Sequence, residues 1–439
     1  DMAAYCRPPG GAGGGGRYGD AELDDYDGSG EDDGSEGDEC AQGNAQFSGR
    51  PYVPPASSAA GTGPSFGENM ESHFLVPRRL QDKPYELIEA ANDWHYAMMN
   101  DIPRNEFYLS ALQQLVTPET VVLEIGAGSG LLSIIAASLG AKCVVAIEAN
   151  LHLANVAREI IRSNGYEGKI HIINKMSTDV TPAELAPYGA PDVLLSEILG
   201  TLLLGESALH YVADARRRLC APRCAVVPAR GAQFATLIES ADVSSITSVK
   251  SWNGIDLDYF NSLQDTTSMV FTKQYGFRFS SAAYTELAPR TRILPIDFAR
   301  DSVGVWGQES HTTITATRSG VVHAVMASWE VYGGGSLVMA THPDATLHNF
   351  PRDMQWGQAL QLIEDTSADG EKPIPFTVAA GETLTIVTRH SIDGVSLQFE
   401  LLRGEPPPAG AIGIGAVDSR GRRTGEAGSG APGVHARKP

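Results

Sequence analysis

The chain has 439 residues, with 33 Lys+Arg against 53 Asp+Glu and a formal net charge of −20. So acidic a chain has no long-range attraction to phosphate backbones, which argues against a nucleic-acid binder and favours cationic partners. It contains no apolar run of about 18 residues and no basic-then-apolar leader, so no membrane association is expected. The five cysteines, Cys6, Cys40, Cys143, Cys220 and Cys224, are odd in number and unevenly spaced, which is not a disulfide framework. Cys220 and Cys224 lack the second pair that a metal site needs, so no metal is expected. A soluble protein of a reducing compartment, cytoplasmic and also nuclear, is the expectation.

Residues 1–70 hold 13 acids and 3 bases among Gly, Ala, Ser and Pro, and read as a disordered acidic tail. Residues 71–105 read as an N-terminal helical segment, with Leu87, Ala90, Ala91, Trp94, Met98 and Met99 at three- and four-residue spacings over 84–100. Asn105 is a plausible cap for the next helix. Residues 106–228 then alternate strand and helix signals. Strands are expected at 120–125, 143–147, 169–173 and 192–195, with helices at 131–139 and 151–163. This order predicts a parallel sheet covered on both faces, an α/β domain. Residues 229–403 carry short β-branched segments (232–238, 310–317, 321–329, 336–340, 383–388 and 395–401) separated by turn residues. They predict an all-β barrel or sandwich, so the fold class is α/β plus β. Residues 242–265, with Trp252, Tyr259 and Phe260 in a polar context, read as an arm. Residues 404–439 read as a second disordered tail.

Gly126, Ala127, Gly128, Ser129 and Gly130 fall between a predicted strand and helix, where glycine permits positive φ and close approach of a ligand. Glu148 ends the next strand, where a carboxylate can accept from both ribose hydroxyls. The G-x-G-x-G spacing leans away from NAD and toward S-adenosylmethionine. Glu197 and Glu206 flank an apolar, Gly-containing loop after the fourth strand. Two carboxylates brought together repel unless a cation lies between them, and a planar, permanently charged guanidinium is the natural one.

Residues 84–403 resemble the protein arginine methyltransferase family, and within it the type 7, monomethylating members. Val122 to Gly130 resembles its first cofactor motif, including Glu124. The segment Ala146-Ile147-Glu148, with Ala149 beside it, resembles the ribose-binding segment. Glu197 and Glu206 match the paired acids. His95 to Arg104 resembles the helix segment whose arginine holds the cofactor's methionine carboxylate, with Met98 beside it. Met176 and Ser177 fall where the family contacts adenine, and Gln355-Trp356 matches the loop walling the arginine pocket. The resemblance implies a Rossmann-like class I methyltransferase domain followed by a β-barrel with an inserted dimerisation arm. It further implies S-adenosyl-L-methionine as methyl donor, S-adenosyl-L-homocysteine as product, Glu197 and Glu206 as catalytic acids, and monomethylarginine as the only product. Substrates would be basic, arginine-containing proteins such as histones and Arg/Gly-rich proteins.

Two departures stand out. Gln355 replaces the family's usual His, and the length leaves room for one module where type 7 members often carry two, so two chains would pair. Arg17 and Arg420, each beside glycine, are candidates for automethylation. His342 and His348 read as structural. The rival readings are a dimethylating enzyme, a catalytically weak Arg-Gly-binding scaffold, and a NAD-dependent dehydrogenase, which would leave the two acids unexplained. Turnover on basic substrates is expected to be salt-sensitive.

Overall fold

In a computed structural model the described residues are 65–406, except 72, 92, 276–277, 301–308, 368 and 392–393. The two expected tails, with Cys6, Cys40, Arg17 and Arg420, lie outside them apart from their inner ends. One of those ends differs from expectation: Phe66–Asn69 is a turn of helix. Ser65 and Glu68 form a reciprocal capping box there, which satisfies the donors that so short a helix would otherwise leave open.

The region 84–100 is two helices, Tyr85–Ala90 and α1 (Asp93–Asn100). The next helix, α2 (Ile102–Gln113), starts three residues before the expected cap. Asp101 caps it, its Oδ1 accepting from the Arg104 N–H at 3.0 Å, while Pro103 sits in the first turn where no donor is needed. The parallel sheet then forms from β1 (Val121–Ile125), β2 (Cys143–Ile147), β3 (Ile170–Ile173), β4 (Val193–Ser196) and β5 (Ala225–Val227), in the order β3-β2-β1-β4-β5. Helices α3 (Leu131–Ser138), α4 (Leu151–Ser163) and α5 (Ala208–Arg218) are its main crossover helices. β5 carries only three residues and no alternation, which is why its sequence shows no strand signal. The order reverses between β1 and its neighbours β2 and β4, so the carboxyl ends of these strands form the crevice where such sheets bind ligands.

Beyond β5 the chain becomes an antiparallel β-barrel. Its longest strand, β6 (Arg230–Glu239), pairs with Ala324–Tyr332 and with Thr291–Asp297. The segment expected as one strand over 321–329 breaks at His323, whose Nδ1 accepts the Ser240 N–H at 3.0 Å. Ser310, Thr383 and Leu397 lie in a separate three-stranded sheet, Glu309–Thr315, Thr383–His390 and Leu397–Arg403. The expected arm is the helix Ala241–Thr247, a hairpin turning at Asn253-Gly254 and a 3-10 segment at Asp258–Leu263. Among the described residues no helix is long and apolar enough to cross a membrane.

The two domains share one core. Leu123, Leu194 and Leu195 of the sheet belong to the same buried cluster as Trp329, Val331 and Trp356 of the barrel. A polar tie reinforces the junction. Arg352, on α6 (Phe350–Gln355), donates Nε to Asp101 Oδ2 at 2.8 Å and Nη2 to Asp101 Oδ1 at 3.0 Å, with both side chains buried. Asn349 adds another bond to the same carboxylate, the fourth with that from the Arg104 N–H. Removing one partner of such a pair strands a buried charge. Arg352→Met is therefore expected to lower the unfolding free energy by about 3–5 kcal/mol in urea titration. The double variant Asp101→Asn/Arg352→Met should recover much of that loss.

Candidate functional site: two acids on a clamped loop beside a glycine cradle

The loop between β1 and α3 takes positive φ at Gly126 (72°), Gly128 (52°) and Gly130 (77°), a conformation that side chains resist. At Gly126 a Cβ would also stand 2.8 Å from Ile198, whereas at Gly128 it would point into open space. Glu148, at the end of β2, aims its carboxylate at this cradle. Oε2 accepts from Gly128 N–H and Oε1 from Asn150 N–H, both at 2.8 Å. Each oxygen retains a lone pair, so the group is pre-oriented for a diol. Burial raises the Glu148 pKa while those backbone donors work against it.

Glu124 lies beneath the cradle, fully buried, and accepts a hydrogen bond from the Ser133 hydroxyl of α3. Burial pushes its carboxyl up to about 8, so it stands as a neutral support of the loop at neutral pH. Ala127 is buried within the loop and Ala149 is exposed at its rim. Met176 and Ser177 open the 3-10 turn after β3. The Ser177 carbonyl is held by Arg218 at 3.0 Å, which fixes the edge expected to meet a base. Met98 is half-buried on α1.

Glu197 and Glu206 lie on the segment that follows β4, the first with a buried side chain and the second exposed. The loop between them closes on itself. Gly200 and Leu203 exchange backbone bonds, and a Cβ at Gly200 would stand 2.9 Å from the Gly205 Cα. The barrel then fastens it. Trp329 Nε1 donates to the Gly200 carbonyl at 3.0 Å and Trp356 Nε1 to the Leu199 carbonyl at 2.6 Å. Thr201 Oγ1 donates to the Trp356 carbonyl at 2.7 Å, and Gln233 Nε2 to the Leu202 carbonyl at 2.6 Å. Trp356 is thus an anchor of the acid loop, packed edge-on against Trp329.

Arg104 lies on Glu197. Its Nε and Nη2 donate to Oε2 at 3.0 and 2.5 Å, and Nη1 donates to Asn105 Oδ1 at 2.9 Å. One N–H on each terminal nitrogen is left for a cofactor carboxylate. Tyr108 supports the pair from below: the guanidinium carbon is 5.5 Å from its ring centroid, and its hydroxyl donates to the Ser196 carbonyl at 3.2 Å. Among the described residues Glu206 has no such partner. Burial, and then the charge of Glu197, push its carboxyl up to about 7, with Lys273 opposing the rise. Gln355 is buried, and its Oε1 has no hydrogen-bond partner among the described residues.

Asp101, Arg352, Lys273, Trp329 and Tyr108 thus join the residues expected from sequence. Only Asp101 sits in a segment that the motifs mark. Among the described residues, no group of three or more His, Cys, Asp or Glu side chains is arranged to hold a metal.

Residues 104–213 match the family model of ribosomal protein L11 methyltransferase (PrmA). Over 294 residues the chain is 31% identical to an arginine N(omega)-methyltransferase of Streptomyces achromogenes subsp. streptozoticus, covering 67% of this chain and 74% of that one. The chain belongs to the arginine methyltransferase family. It is 29% identical over 376 residues to protein arginine N-methyltransferase 7 of Drosophila yakuba, covering 76% of this chain and 52% of that protein. For the Danio rerio protein of the same name the figures are 28%, 72% and 47%. The chain therefore spans about half the length of these two relatives.

The arginine methyltransferase fold is also seen in a Trypanosoma brucei PRMT1 enzyme–prozyme heterotetrameric complex with AdoHcy, with a TM-score of 0.58, 22% identity, and 73% of this chain and 95% of that one covered. Protein arginine methyltransferase 10 of Arabidopsis thaliana gives a TM-score of 0.55 at 19% identity, covering 73% and 97%.

The acids of raised pKa at this family site have a stability signature. The ordinary value for both is 4.5, and folding raises Glu206 to about 7 and Glu124 to about 8. A raised folded pKa stabilises the protein fully below the unfolded value, and that contribution is lost as pH rises through the folded one. Thermal melts should show Glu124→Gln losing less stability than the parent chain between pH 5 and 8.5. Parallel curves would mean that Glu124 is ionised in the folded protein.

Proposed function

We propose that the chain is an S-adenosylmethionine-dependent protein arginine N-methyltransferase that adds one methyl to a guanidinium nitrogen. The observation that carries this reading is the placing of Glu197 and Glu206 at the two ends of one clamped loop beside the glycine cradle, Glu197 buried on Arg104 and Glu206 open to an incoming group. The cradle fits a nucleoside cofactor: Gly128 leaves open space where a side chain would intrude, and Glu148 presents an oriented carboxylate. Glu148 would hold the ribose hydroxyls, Met176 and Ser177 would border the base, and the spare donors of Arg104 would hold the amino-acid carboxylate. When bound, S-adenosylmethionine supplies a methyl group already activated on a sulfonium.

The chain's own part is to present the nucleophile. Arginine is a poor one, because its lone pairs are delocalised over the cation. Glu197, fixed by Arg104, and Glu206 would grip the guanidinium from two sides, set its plane and concentrate electron density on one nitrogen. Orientation of this kind can supply several kcal/mol, with about 7–11 as a ceiling. Near pH 7 Glu206 can take up the proton that the methylated nitrogen gives up, because its raised pKa lies close to the working pH.

Restriction to one methyl is supported by the likeness to the type 7 relatives. Basic proteins, including histone tails and Arg/Gly-rich segments, are the proposed substrates. The assay is incubation with labelled S-adenosylmethionine and an Arg-Gly-rich peptide, followed by hydrolysis. Monomethylarginine alone is expected, and free L-arginine as the better substrate would refute the protein assignment. Glu197→Gln and Glu206→Gln should each cut turnover at least 100-fold while leaving S-adenosylhomocysteine affinity unchanged. In the parent enzyme kcat/KM should fall as pH drops through about 7, because protonated Glu206 no longer attracts a cation.

We further propose that two chains pair through the arm. Its outer face exposes Trp252 (66%), Tyr259 (71%), Phe260 (68%) and Leu263 (75%), more large apolar side chains than an isolated surface hairpin normally carries. Trp252→Asp/Phe260→Asp should sediment as a monomer where the parent chain sediments as a dimer.

A further inference from the structure

The sequence offers Asn105 as the cap of α2, but Asp101 takes that role and leaves the Asn105 amide to a different one. Asn105 sits inside the first turns of α2, next to Arg104. Its Oδ1 accepts from Arg104 Nη1 at 2.9 Å, and its Nδ2 donates to the Met99 carbonyl at 2.9 Å. Met99 lies in the last turn of α1, where helix carbonyls lack an internal partner. One amide thus joins the end of α1 to the guanidinium. The Asn105 N–H donates to the Asp101 carbonyl at 3.0 Å, which fixes the backbone from which the amide extends.

Arg104 needs such a contact. Its Nε and Nη2 converge on a single oxygen, Glu197 Oε2, while Oε1 accepts the Leu199 N–H at 3.3 Å. A fork that meets two carboxylate oxygens fixes both the distance and the plane of a guanidinium. Two bonds to one oxygen fix the distance but leave the plane free to swing about that oxygen. The Tyr108 ring, 5.5 Å from the guanidinium carbon, supports a face without setting a direction within the plane. The third bond, to Asn105 Oδ1, falls on the terminal nitrogen that Glu197 does not touch, and it removes the swing. The direction of the remaining N–H on each terminal nitrogen is then set.

We propose that Asn105 is a positioning residue of the cofactor site: it aims the guanidinium of Arg104, and with it the seat of the cofactor's amino-acid carboxylate, and fastens that seat to α1. The proposal rests on the reading of Arg104 as the holder of that carboxylate. Only an amide serves at this position, because it offers an acceptor to the cation and a donor to the Met99 carbonyl at once. A carboxylate of the same shape accepts only. It would turn an oxygen onto the Met99 carbonyl and set a second negative charge on Arg104 beside that of Glu197. The incoming carboxylate would then meet two acids around one cation, and like charges repel.

The test titrates two ligands calorimetrically into the full chain. S-adenosylhomocysteine carries the amino-acid carboxylate, whereas 5′-methylthioadenosine keeps the base, the ribose and the thioether but lacks it. Asn105→Leu removes both amide bonds at similar volume, and Asn105→Asp keeps the shape without the donor. S-adenosylhomocysteine should bind Asn105→Leu at least fivefold, and Asn105→Asp at least tenfold, more weakly than the parent. The affinity for 5′-methylthioadenosine should change less than twofold in both. Equal loss of both ligands, unchanged binding of S-adenosylhomocysteine, or failure of both variants to fold overturns the proposal and leaves Asn105 a structural tie between α1 and α2. The parent chain tests the underlying reading separately. Equal affinity for the two ligands, or binding of neither, removes the premise, whereas a parent preference for S-adenosylhomocysteine that both variants retain removes only the proposal.

Discussion

Two carboxylates carried at the ends of one short, clamped loop are the constraint around which the rest of the molecule is arranged. Their mutual repulsion raises the cost of charging both, so a nearby cation or a proton must offset it. The structure meets this differently at each acid. Arg104 places two N–H donors on Glu197 Oε2, so that acid is buried and fixed. Glu206 is exposed, and its carboxyl is pushed up to about 7. One acid thus sets geometry and the other is open to an incoming group. A site that must admit a cation and later release it needs both properties.

Although both acids belong to the α/β domain, the barrel holds their loop in shape. The indoles of Trp329 and Trp356, with Gln233, spend their N–H groups on carbonyls of residues 199–202. A loop so short and apolar has few internal partners of its own, and its buried carbonyls would otherwise go unsatisfied. The Asp101–Arg352 pair then links the N-terminal helices to α6, which carries Gln355. This bears on the replacement of the family's His at 355. The ionic tie at that junction is made by Arg352, about one helical turn earlier, so residue 355 can be neutral without loosening the domain contact.

The sequence made the parallel sheet legible because its strands and helices keep strong, separate periods: Cys143–Ile147 and Leu151–Ser163 fall where the apolar pattern places them. The glycine cradle and the paired acids were legible because their chemistry demands particular residue types at fixed spacing. The start of α2 was not, since Asp101 and Asn105 are equally good caps in isolation and the tertiary contact with Arg352 chooses between them. Strands Thr291–Asp297 and Ala359–Leu362 also escaped. Pro295 sits within the first, and the second has only four residues and is buried throughout, so it shows no alternation. Lys273 could not be found from sequence at all. It belongs to no motif and reaches the site only because a strand pairing brings residues 270–275 against 355–360.

The overall acidity of the chain therefore has a narrower meaning than the composition first implies. At the site, Glu197 is already paired with Arg104, while Glu206 is exposed. The excess negative charge lies elsewhere, and half of it is on residues 1–70. Surface charge acts over a Debye length of about 8 Å at physiological salt and steers any cation alike. It can raise the encounter rate with basic proteins, and salt can abolish that gain, but it cannot tell arginine from lysine. That distinction falls to local geometry, where a guanidinium's planar fork matches a carboxylate with two parallel bonds and an ammonium does not.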